Sequence, residues 1–156
     1  MTTMTNNAPA TSKRTFRLGV PQRIMLLTAT VAVVAVALFV VVVLPLPAPT
    51  TAVSLPWWVW AAAFAVCEAL VVHVQWQREA HTYSVGDLVL GAGLILCAPH
   101  DLVIAQVIGA GATLLLYRRQ RGIKLLFNVA QYALGGSIAT SLVWVVSSSG
   151  LGVWNW

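Results

Sequence analysis

Five apolar runs, separated by short polar or proline-bearing breaks, organise residues 24–146. The first, 24–44, is uncharged and dominated by Val and Ala. Its length fits one bilayer crossing, which takes about 17–25 residues. Pro45, Pro47 and Pro49 end it, because each lacks an amide donor and fixes its φ. The second run, 56–77, opens on Pro56, a residue suited to a helix start. Trp57, Trp58 and Trp60 at one end and Trp76 near the other read as interfacial anchors. The third run, 83–98, is short, and two readings fit it: a spanning helix that keeps Asp87 near the headgroups, or a re-entrant segment. Pro99 breaks it, and Asp101 is placed to cap the fourth run, 102–117, by accepting its free amides. The fifth covers 124–146. The pattern predicts an all-α fold: a polytopic transmembrane bundle of about five helices over 21–146. Residues 1–20 are expected to be a disordered tail and 147–156 a second tail.

The Lys and Arg residues orient these runs. Lys13, Arg14, Arg17 and Arg23 precede the first, Arg78 follows the second, and Arg118, Arg119, Arg121 and Lys124 lie between the fourth and fifth. The loops at 45–55 and 98–101 contain neither residue type. Alternation therefore predicts a cytoplasmic N-terminus, a cytoplasmic turn at 118–124 and an extracytoplasmic Trp156. The first run also has the basic flank of a secretory signal, with small residues near Ala48. It exceeds the roughly 7–15 apolar residues of such a signal, which favours an uncleaved helix.

Composition agrees with this class. The chain is 59% hydrophobic and 8% charged, against about a quarter charged in a soluble domain. The net charge of +5 sits in small groups at the ends of apolar runs, which points to topology and away from nucleic acid. Cys67 and Cys97 lie inside apolar stretches and read as buried small hydrophobes. No ligand spacing for a metal appears, and the turn carrying Cys97, His100 and Asp101 offers too few converging groups. No cofactor is expected. No catalytic constellation is present either: Ser147, Ser148 and Ser149 have no positioned base.

The polar residues inside the runs carry the remaining interest. Glu68 falls mid-run, where an ionised carboxylate costs about 2.5–3.5 kcal/mol on insertion scales, so it should face protein or water. Helical spacing aligns Glu68 with Gln75, Gln106 with Thr113 and Tyr117, and Lys124 with Asn128, Gln131 and Gly135. The three stripes are expected to face one another. One reading is helix packing through small residues and amides. A sharper one is a polar pocket bounded by Glu68, Gln75, Gln106, Asn128 and Gln131; a transport pathway is a third. Arg118, Arg119, Arg121 and Lys124 are placed to meet anionic lipid headgroups.

Residues 78–134 resemble a membrane-sensor region of bacterial proteins that carry GGDEF and EAL domains. The resemblance rests on Glu79-Ala80-His81 with Ser84, Gly93, Pro99 and Gly109, then Arg118-Arg119-Gln120, Lys124 and Phe127-Asn128-Val129-Ala130. The family pattern has Glu near the position of Asp87, a shortened acid here. The resemblance implies a sensor or anchor module in cyclic di-GMP signalling, working by helix repacking through a cytoplasmic signalling domain or partner. Such proteins continue into cytoplasmic domains, whereas this chain stops at Trp156, so a fragment and a stand-alone module are both open. A homo-oligomer is also open. The alternative is a small transport or substrate-binding subunit that docks on a partner.

Overall fold

The computed structural model describes residues 19–48, 55–74 and 85–149, with the backbone alone at 71–74. The described residues form five helices: α1 (Val20–Leu38), α2 (Trp57–Val74), α3 (Val85–Leu96), α4 (Pro99–Leu116) and α5 (Ile123–Ser148). No strand occurs among the described residues. Three helical stretches are long and apolar enough to cross a membrane: Val20–Val43, Pro99–Leu116 and Ile123–Ser148. α3, with 12 residues, rises only about 18 Å. That is short of the roughly 30 Å hydrocarbon core, as the length of its apolar run predicts.

The helix boundaries follow local chemistry. α1 starts four residues before the predicted Ile24, because Gly19 is extended at the N-cap and Pro21 lies in the first turn. Gln22 Oε1 accepts the Gly19 N–H at 3.1 Å, which satisfies one otherwise free donor. Beyond Leu38 the chain widens into a π-helical turn, Phe39–Val43, closed by a 2.8 Å bond from the Leu44 N–H to the Phe39 carbonyl. Pro45 follows, and a proline ring crowds the carbonyl four residues back while offering no donor.

α4 begins at Pro99, three residues earlier than predicted. Proline suits a first helical position, since its missing N–H would be unpaired there in any case. The expected cap is corrected with it. Ala98 occupies the N-cap, and Asp101 lies inside the first turn without capping it. There its carboxylate faces the positive end of the helix dipole and lies 3.5 Å from His100 Nε2.

α2 packs chiefly on α4, α4 on α5, and α5 on α1, while α3 covers α2. Trp60, Ala61 and Phe64 of α2 form the main core with Cys97, Leu102 and Ala105. The α2–α4 contact is close because Gly109 lacks a side chain. A Cβ there would run into the Ala61 carbonyl. Thr113 Oγ1 then donates to the Ala65 carbonyl at 3.1 Å and to the Gly109 carbonyl at 3.2 Å, a cross-helix bond in an apolar interior. α5 turns its small residues inward: Ala130, Gly136, Ser137 and Thr140 are buried.

Candidate functional site

Glu68, on α2, is the one acid well inside a long helix among the described residues, and two other elements converge on it. Arg118, in the α4–α5 turn, places Nη2 3.1 Å from Glu68 Oε1. Tyr132, on α5, donates its hydroxyl to Glu68 Oε2 at 2.7 Å. Both carboxylate oxygens are therefore engaged, each by a different element. A carboxylate taken out of water needs this, since an unpaired buried charge costs several kcal/mol. The Glu68 side chain is 13% exposed and that of Arg118 25%.

The turn aims Arg118. The Arg118 N–H bonds back to the Thr113 carbonyl at 3.1 Å, and the Gln120 N–H to the Leu114 carbonyl at 2.9 Å. Arg119 adopts a left-handed conformation (φ 50°) to allow that return. Gly122 closes the turn at φ 64°, ψ −142°, a region open essentially to glycine alone. Asn128 Nδ2 donates to Gln120 Oε1 at 2.7 Å, tying the turn to α5. Arg119, Arg121 and Lys124 are exposed. Arg118 alone of the four turns into the bundle.

A cavity of about 40 Å³ adjoins the pair. Glu68, Asp87, Gln106 and Tyr132 contribute its polar groups, with Phe64 and Cys67 beside them. Its volume suits roughly one or two waters. Gln106 is 8% exposed, and its Oε1 has no hydrogen-bond partner among the described residues. That oxygen lies where a Cβ on Gly136 would stand. Elsewhere, a larger groove of about 210 Å³ between α1, α4 and α5 is lined only by apolar side chains, among them Ala35, Phe39, Val103 and Ala133. No three His, Cys, Asp or Glu side chains converge among the described residues.

The pocket expected from the sequence is rearranged. Glu68 and Gln106 do line one cavity. Gln75 lies outside the described residues. Asn128 turns away to Gln120, and Gln131 is exposed on the outer face of α5. The whole Lys124–Asn128–Gln131–Gly135 stripe was expected to face the bundle, and that expectation is corrected. The opposite face carries Ala130, Ser137 and Thr140, whose small side chains let α5 approach its neighbours closely. On α4, Gln106, Ala110 and Thr113 of the expected stripe are buried, whereas Tyr117 at its end is exposed.

Sequence reasoning missed Tyr132 and the inward role of Arg118. The signal was the demand of Glu68 itself: a buried carboxylate requires donors, and an inward Tyr or Arg supplies them. The resemblance over 78–134 rests on its own residues, because no protein-family model, curated protein or solved structure matches this chain.

Proposed function

We propose that this chain is a multi-pass module of the cell membrane with its N-terminus in the cytoplasm. It serves as the sensing or anchoring part of a signalling system, without a catalytic step of its own. Its output passes to a cytoplasmic domain or partner through helix repacking. The observation that carries this reading is the tie from Glu68 to both Arg118 and Tyr132, which joins α2, α5 and the α4–α5 turn at one carboxylate. An ionisable residue within a membrane helix marks a functional site by default. Here a change at one side chain is felt by the turn expected to face the cytoplasm, so a local event has a route to a partner on that side.

The resemblance of 78–134 to GGDEF/EAL sensor regions supplies the output: control of cyclic di-GMP. The transport reading gains little from the geometry. A polar cavity of about 40 Å³ is far below the roughly 300–1,000 Å³ of metabolite pockets.

Two measurements test the proposal. Single cysteines at Ala48 and Gln120, probed with an impermeant maleimide in intact cells, should label outside and inside respectively. In cells lacking the chain, complementation with wild type should restore cyclic di-GMP levels that Glu68→Gln and Tyr132→Phe leave altered. Cyclic di-GMP unchanged by removal of the chain would sink the signalling reading, and equal labelling of both cysteines the topology.

A further inference from the structure

The outer face of α5 carries a polar group that no described residue satisfies. Gln131 is exposed and makes no hydrogen bond with any described residue. It lies eight residues along α5 from Ile123, a rise of about 12 Å. The polar layer on each side of a bilayer is only about 5–8 Å thick, so the amide stands at hydrocarbon depth when α5 spans. Lipid chains have no donor or acceptor, so an amide facing them is desolvated and left unpaired, which is unfavourable.

One turn further on, on the same face, Gly135 is exposed, and a Cβ built there meets nothing within 4 Å. Ile138 and Leu142 continue the face, 44% and 59% exposed. The face thus presents an amide, a gap that admits another backbone, and two apolar side chains in register.

We propose that a second copy of this chain covers this face, the two α5 helices pairing about a two-fold axis along the membrane normal. A carboxamide is donor and acceptor at once, so it complements itself across such an axis. Gln131 of each copy bonds its counterpart, and the two Gly135 residues let the helices close, as small residues do between membrane helices. Lys124 shares the face but lies 11 residues from Gly135, about 16 Å away. Helices crossing at Gly135 have diverged by that level, where headgroup phosphates screen the two ammonium groups. The pairing is independent of any signalling role.

The test uses the full chain, fluorescently tagged, in dilute phosphatidylcholine/phosphatidylglycerol vesicles, with subunits counted by single-molecule photobleaching. Wild type should be dimeric. Gln131→Leu should weaken dimerisation by about tenfold and Gly135→Ile by at least as much, while Gln131→Asn retains part of it. Helical content by circular dichroism should stay unchanged, because Gln131 makes no hydrogen bond with any described residue. In a background lacking Cys67 and Cys97, added copper–phenanthroline with oxygen as the electron acceptor should oxidise Gln131→Cys to an inter-copy disulfide, and Val33→Cys on the exposed face of α1 should not cross-link. A monomeric wild type, or a dimer indifferent to both Gln131→Leu and Gly135→Ile, overturns the proposal.

Discussion

Arg118 reaches back from the α4–α5 turn to stand 3.1 Å from Glu68, so a residue of the basic turn is also the counter-ion of an acid on α2. The pair is mostly shielded, which makes its halves interdependent. Removing one partner leaves a charge with reduced solvation, whereas replacing both with apolar groups of similar shape is often neutral.

Arg118→Gln and Glu68→Gln should each destabilise the chain by about 1–3 kcal/mol, the lower part of the range reflecting the partial exposure of Arg118. The double substitution Glu68→Met/Arg118→Met should unfold close to wild type. Reversible unfolding in bicelles, arranged as a double-mutant cycle, measures the coupling. Strictly additive losses would mean that the two groups do not interact.

Tyr132 supplies the other half of the carboxylate's satisfaction. Tyr132→Phe removes only the hydroxyl that donates to Glu68 Oε2 at 2.7 Å. A hydrogen bond to a charged group contributes about 1.5–3 kcal/mol, so a loss of about 1–2 kcal/mol is expected at this part-buried site. In a Glu68→Gln background the loss should shrink, because the acceptor is then neutral. The same unfolding assay reads both values, and an undiminished loss in that background would contradict a charge-assisted bond.

These residues also mark how far the sequence could be read. Hydropathy is local, so the apolar runs ending at Pro45 and opening near Pro56 and Pro99 predicted the helices within a few residues. Which face of a helix packs is not local. On α5 the amide stripe through Gln131 and the small-residue face through Ser137 are both plausible interiors on spacing alone. Close approach decides between them, and it depends on neighbours such as Gln106 opposite Gly136. The direction of Arg118 depends in turn on the left-handed Arg119 beside it, a backbone choice that residue type does not announce. Charge counting therefore located the basic turn, but could not separate the one inward arginine from its three exposed neighbours.

Glycines that look alike in the sequence should respond oppositely to a methyl group. Gly109→Ala puts a Cβ against the Ala61 carbonyl and 3.0 Å from Phe64 Cβ, and backbone cannot yield as a flexible side chain does. Overpacking of this kind costs about 1–3 kcal/mol. Gly91→Ala on α3 meets nothing within 4 Å and should gain about 0.5–1 kcal/mol, since alanine has less backbone freedom to lose in a helix. Thermal unfolding of the two variants side by side checks the contrast. Equal shifts would mean that α2 and α4 are not in close contact at Gly109.

Cys97, in the α3–α4 turn, is 4% exposed. Burial, reinforced by the Asp101 charge and partly offset by a hydrogen bond from the Ala98 backbone, pushes its thiol up to about 11. With Cys67 replaced by Ala, iodoacetamide labelling of the folded chain should be slow at pH 8, where roughly one thiol in a thousand is ionised. The rate should climb about tenfold per pH unit and level off only near pH 11, whereas an ordinary thiol levels near 8.5. Asp101→Asn should move the plateau down only in part, because burial is the larger cause. The sign for stability follows from the same shift. The folded chain holds this proton more tightly than the unfolded one, so the contribution is complete below the unfolded thiol's pKa and is lost as pH rises through about 11. A labelling plateau below pH 9 would mean that Cys97 is open to solvent and that the α3–α4 turn does not pack against Trp60 and Leu102 as the core requires.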